Sequence, residues 1–168
     1  MKKIYLAFLC FFIGANAFCQ NPLLLKDIYP GVTGSGIQQI VKTNNYTFFN
    51  AEDDDVDSDR GLYRTDGTAA GTIKLNLDYR AVTPGFISTK ADKLTAFGNK
   101  IIFAGDNFPN YGEIWASDGT QTGTIALERF QPSVPGRVPV MNMIAVGSSV
   151  MYGVTDNLNH TLLKKTDG

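Results

Sequence analysis

The chain is 168 residues long, 43% apolar and 18% charged, with a formal charge of −1. A balance that mild, with no basic stripe, argues against nucleic acid or an anionic membrane surface as partner. A single histidine, His160, excludes a multi-histidine zinc site, and Cys10 and Cys19 leave no cysteine–histidine pair in a setting suited to nucleophilic catalysis.

The first element is a leader. Lys2 and Lys3 precede an unbroken apolar run from Ile4 to Ile13, and small residues follow. The run is too short for a membrane-spanning helix, which needs about 20 apolar residues. Residues 1–19 therefore read as a secretory signal peptide, and 20–168 as the exported part, secreted or held at the outer cell surface. Cleavage fits after Ala17 or after Cys19. The second cut removes both cysteines and with them any disulfide. A lipoprotein carrying lipid on Cys19 is the alternative, against which the bulk of Phe18 stands. Loss of Lys2 and Lys3 takes the charge to about −3, and no later stretch is apolar for long enough to cross a membrane.

From Leu23 onward the sequence repeats. Leu62–Thr72 returns 52 positions later as Ile114–Thr124, and Thr166-Asp167-Gly168 opens a third copy. Units of approximately 23–72, 73–124 and 125–168 each hold a Pro-Gly pair: Pro30-Gly31, Pro84-Gly85 and Pro135-Gly136. In the first unit Ile40 and Val41 lead through Asn44-Asn45 to Tyr46, Phe48 and Phe49. The second runs from Leu94, Ala96 and Phe97 through Gly98-Asn99 to Ile101–Ala104. The third runs from Met143, Ile144 and Val146 through Gly147-Ser148 to Val150, Met151 and Tyr152. These are strand–turn–strand signals, and no helical period interrupts them. A further short strand precedes each Asp-Gly pair, and another follows it at Ile73–Leu77 and Ile125–Phe130. Leu23–Ile28 reads as one more copy of that last strand. Four strands in about fifty residues predict an all-β, β-propeller-like array of four-stranded antiparallel units.

Between the last two strands lies Asp66-Gly67-Thr68 with Gly71-Thr72, repeated as Asp118-Gly119-Thr120 with Gly123-Thr124. Asp66 and Asp118 are expected to close Asx-type turns by accepting from a backbone N–H two residues on, and the glycines to take conformations closed to other residues. The motif is thus read as structural. Tyr63, Trp115 and the residues beside them are expected to pack between neighbouring units.

Glu113–Thr124 resembles the signature of bacterial ELWxxDGTxxGT-repeat proteins, and Leu24–Gly31 resembles the LVKDINPG phrase that opens their units. The resemblance spans residues 23–168. It implies a secreted or outer-surface β-propeller-like array and carries no activity or ligand with it. The chain departs from that pattern by having two full units and a third that stops at Gly168, fewer than the four to eight blades of a propeller. Truncation of a longer protein, assembly of several copies, or pairing of Leu23–Ile28 with the strand ending at Thr166 would each account for this.

Chemistry has few candidates. Asp55, Asp57 and Asp59 alternate in the acidic run 52–59, as carboxylates do in oxygen-ligand calcium loops. Arg60 stands where such a loop wants glycine, so a solvated acidic loop competes with calcium here. Glu113 and Glu128 are the glutamates available to a glycosidase-like carboxylate pair. No Gly-x-Ser-x-Gly elbow accompanies His160. The expectation is a secreted, non-enzymatic repeat protein for surface binding, adhesion or scaffolding, whose partner is an extracellular protein or glycan. Further repeats or self-association would close its array. The alternative is a fragment of a propeller-type carbohydrate-active hydrolase.

Overall fold

Ile101-Ile102-Phe103-Ala104 is apolar at every position, whereas Ser149–Thr155 buries every second residue. A strand with a sheet packed on each side needs apolar residues on both faces; a strand with one such neighbour needs them on one. The difference places the two strands in a central and a terminal layer.

The computed structural model describes residues 22–31, 34–52, 60–77, 89–107, 111–130, 140–155 and 160–168. Their strands form three antiparallel sheets. The first holds β1 (Gln38–Lys42), β2 (Thr47–Ala51), β3 (Gly61–Thr65) and β4 (Ile73–Leu75). The second holds β5 (Thr89–Phe97), β6 (Lys100–Asn107), β7 (Tyr111–Ser117) and β8 (Thr124–Phe130), and the third β9 (Val140–Val146), β10 (Ser149–Thr155) and β11 (Thr161–Thr166). Each is a meander in chain order. The hydrogen-bonded sheets are offset from the repeated phrases by one strand, since β4 and β8 pair back onto β3 and β7. Among the described residues there is no helix, and the sheets close into neither a barrel nor a propeller.

The all-β expectation is met, and the three sheets stack face to face. Phe48, Leu62 and Leu75 of the first sheet share a core with Ala91, Leu94, Ile101, Phe103 and Trp115 of the second. The opposite face of the second sheet, with Ile102, Ala104, Ile114 and Ala116, shares another with Val140, Val150, Tyr152 and Val154 of the third. Trp115 thus lies between sheets, stacked on Phe103 at 6.3 Å. Tyr63 does not: it stacks on Phe49 at 5.4 Å on the face of the first sheet turned away from the second, covered by Ile28. Residues 22–27 are not in a sheet. Lys26 Nζ donates to Thr72 O at 2.6 Å, tying the segment to the first sheet. The pairing of Leu23–Ile28 with β11 is therefore not made within the chain; β11 pairs only with β10 among the described residues.

One irregularity recurs in each sheet. The register of the first strand slips at Gln38/Val41, at Asp92/Thr95 and between Val140 and Met143. Gln39 and Lys93 take positive φ there, 49° and 55°. An extra residue at a bulge bends its strand and redirects its side chains, and Gln39 at the first of them reaches Asp92 and Leu94 N of the second sheet.

Candidate functional site

The repeated turn builds itself from short side chains. Asp66 Oδ1 accepts from Thr68 N at 2.9 Å and from Thr68 Oγ1 at 2.7 Å; Asp118 Oδ1 accepts from Thr120 N at 2.8 Å and from Thr120 Oγ1 at 2.7 Å. The same threonine hydroxyls accept from Gly71 N and Gly123 N, each at 2.9 Å. A Cβ on Gly71 or Gly123 would overlap the Asp66 or Asp118 carboxylate. Gly67 and Gly119 are required for another reason, their φ values of 94° and 91°.

The last threonine orients the hydroxyls. Thr72 Oγ1 donates its one proton to Thr68 O at 2.6 Å, so in the 2.7 Å contact between Thr72 Oγ1 and Thr65 Oγ1 the donor is Thr65. Thr65 Oγ1 in turn accepts from Gly67 N at 3.0 Å. Thr124, Thr120, Ser117 and Gly119 repeat this relay, with Thr124 Oγ1 donating to Thr120 O at 2.7 Å and Ser117 giving its proton to Thr124 at 2.8 Å. The third copy begins likewise, Gly168 N donating to Thr166 Oγ1 at 3.1 Å. Hydrogen bonds from Thr68, its hydroxyl first and its backbone N–H second, hold the Asp66 carboxyl below the usual carboxylate range. For Asp118 the backbone N–H of Thr120 comes first and its hydroxyl second. Asp66 and Asp118 Oδ1 and the hydroxyls of Thr68, Thr72, Thr120 and Thr124 are thus engaged within the turn.

The second and third turns then meet the preceding sheet. Arg64 lies 4.1 Å over the Tyr46 ring and donates from Nε to Gly119 O at 2.6 Å. A Cβ on Gly119 would come within 2.5 Å of Tyr46 Cδ2, so this glycine is fixed from outside as well as by its φ. At the next joint Ala116 stands where Arg64 does, and Lys100, from the position of Tyr46, takes over: its Nζ donates to Gly168 O at 2.6 Å. Other bonds between the first two sheets also join like to like. Asn44 Nδ2 in one hairpin turn donates to Asn99 Oδ1 in the other at 2.7 Å, and Gln39 at one bulge bonds Asp92 and accepts from Leu94 N at the next. These partners stand 53 or 55 residues apart, close to the repeat period. The sheets are therefore stacked in the same sense, each presenting its face to the back of the next.

The candidate glutamates are also accounted for. Glu113 is buried in β7; its Oε2 accepts from Trp115 Nε1 at 2.8 Å, and Arg129 Nε lies 2.8 Å from Oε1. Burial raises its carboxyl above the ordinary value, opposed by the Trp115 hydrogen bond. Glu128 accepts from Tyr152 OH at 2.7 Å and pairs with Lys164. Burial, then the bond to Glu128, pushes the Tyr152 phenol up. In the β7–β8 register Glu113 faces Arg129 and Glu128 faces Ile114. Glu113 thus points toward the first sheet and Glu128 toward the third. Carboxylates on opposite faces of one sheet cannot flank a single glycosidic bond.

Asp55, Asp57 and Asp59 lie outside the described residues, as do residues 1–21, Cys10 and Cys19 among them. Among the described residues no cluster of three metal-ligating side chains occurs, and no helix is long and apolar enough to cross a membrane. His160 is exposed next to β11. Of the joint residues, the sequence marks Asn44 as part of a hairpin turn and Arg64 by its place beside Tyr63, and it carries no signal for Lys100 or Gln39. Comparison of the chain with protein-family models, curated proteins and solved structures found no match.

Proposed function

We propose that the chain is an exported, non-enzymatic repeat protein of the ELWxxDGTxxGT kind, whose sheets are arranged as propeller blades and serve surface binding, adhesion or scaffolding. The observation that carries this reading is the use of its polar groups. The repeated aspartates and threonines, Glu113 and Glu128 are all engaged in turns or between sheets, which is what a rigid display scaffold requires. The leader supports export, and the repeated phrase supports the family. Opposite facing of Glu113 and Glu128 favours binding over glycoside hydrolysis by that pair. The partner is an extracellular protein or glycan.

The test combines cell fractionation with binding of the purified chain to arrayed surface glycans and proteins, assayed in parallel for new reducing ends. The chain is expected outside the cytoplasm, with saturable binding and no turnover. Retention in the cytoplasm, or release of reducing ends, would overturn the reading.

A further inference from the structure

The third sheet repeats the two before it up to its outer face. Val150, Tyr152 and Val154 face the second sheet, so Met151 and, through the β10 pairings, Ile144, Leu163 and Lys165 face away. In the other sheets Phe48 and Ile102 hold the place of Met151, and Leu62 and Ile114 that of Leu163; all four are wholly buried beneath the next sheet. Here Ile144 is 62% and Leu163 71% exposed, and Val146 on the same face 50%. Lys165 stands two residues before Asp167, as Arg64 stands two before Asp66, and it is exposed. At the first joint the cation in that place, Arg64, reaches the turn glycine of the following sheet.

The other end of the chain carries the complementary parts. Gly119 and Gly168 are crowded by the preceding sheet, whereas a Cβ on Gly67 would meet nothing within 4 Å. The turn at 66–72 is thus formed without a sheet docked on that glycine. Leu23 and Leu24, which match the outer strands β4 and β8 in the repeat, are 90% and 81% exposed and in no sheet. Ile28, at the end of that segment, covers Phe49 and Tyr63 as Leu77, after β4, packs into the core beside Phe103 and Trp115. The segment therefore already sits against the first sheet as the outer strand of a preceding sheet would, with no sheet to belong to.

We propose that a second copy of this chain docks head to tail on the third sheet: its Leu23–Ile28 segment pairs along the open edge of β11, its first sheet covers Ile144, Val146 and Leu163, and its Gly67 carbonyl receives Lys165. The new joint would repeat the first intramolecular one, with Lys165 in the place of Arg64 and Gly67 in the place of Gly119. Being heterologous, it generates a ring if the rotation closes and a filament if it does not. An edge strand completed by a segment from another molecule is an established mode of strand addition. The inference does not depend on export or on the identity of any ligand.

The test is light scattering of the full chain across a concentration series, with Ile144→Lys blocking the acceptor face and Leu24→Lys the donor segment. Both residues are exposed, so neither change disturbs the fold of the single chain. The parent is expected to gain mass with concentration, and each variant to raise the dissociation constant at least about tenfold. A mixture of the two variants retains one intact face and one intact segment, so it is expected to stop at the dimer. A parent that stays monomeric throughout, or a mixture no heavier than either variant alone, would overturn the proposal.

Discussion

Gly123→Ala tests the account of the repeated turn more sharply than removal of any hydrogen-bonding group. Gly123 has no positive φ, and the three atoms nearest to where its Cβ would project all belong to the Asp118 carboxylate. Displacing that carboxylate costs its two bonds from Thr120, at 2.8 and 2.7 Å. Because Asp118 is exposed, each is worth about 0.5–1 kcal/mol, well short of a buried charge-assisted bond. The variant should therefore lose about 1–2 kcal/mol, a fall in Tm of about 2–8 °C for a chain of this size. In an Asp118→Ala background the obstacle is gone. The same Gly123→Ala should then be neutral, or stabilising by up to about 1 kcal/mol through the less flexible unfolded chain. The assay is thermal and urea unfolding of the four-member cycle. Equal cost of Gly123→Ala with and without Asp118 would refute the reasoning, because the turn would then need glycine for some other reason.

Other outcomes follow from the joints and the buried carboxylate. Arg64→Ala removes a cation stacked on Tyr46 and a donor to Gly119 O, and should destabilise by about 1–2 kcal/mol in urea unfolding, with Arg64→Lys recovering only part. Gly105→Ala would place a Cβ 2.7 Å from Trp115 Cδ1 and should cost about 1–3 kcal/mol, with a shift in the fluorescence of that single tryptophan. For Glu113 the folded carboxyl is raised above its ordinary 4.5, so its contribution is fullest below that value and is lost as pH rises through the folded one. Glu113→Gln should accordingly gain stability relative to the parent between about pH 4 and 7, read from paired thermal melts. Asp66 and Asp118 run the other way. Their lowered carboxyls contribute above the unfolded value of 3.8, and that contribution disappears as pH falls through the folded ones.

Much of this architecture was legible from residues 23–168 because it is local. Gly98-Asn99 between two β-rich runs is a hairpin wherever it occurs, and Asp118 reaches Thr120 across two residues whatever surrounds it. What could not be read is which face meets which. Phe48 and Phe49 look alike in sequence, yet one packs on the second sheet and the other beneath Ile28. Tyr63 and Trp115 hold the same place in the repeat and differ in surroundings only because Trp115 has a sheet on that side. The roles of Arg64 and Lys100 depend on a turn lying 55 or 68 positions further on, and no short-range pattern carries that distance. Leu23–Ile28 reads as a strand from its likeness to Ile73–Leu77 and Ile125–Phe130, but a strand needs a neighbour's backbone as much as its own side chains.

Bonds such as Asn44 to Asn99 and Gln39 to Leu94 tie hairpin turn to hairpin turn and bulge to bulge in neighbouring sheets, and Arg64 reaches the repeated turn of the next sheet. Duplicating such a segment in the gene would bring the lock together with its key. Excising one would bring the flanking copies into the contacts they had with the lost one. A chain joined this way can lengthen or shorten by whole steps of about fifty codons without inventing a new surface, whereas a gain or loss of five or ten codons within a strand would misplace every counterpart downstream. Change of length in whole steps is thus written into the spacing of a few polar side chains.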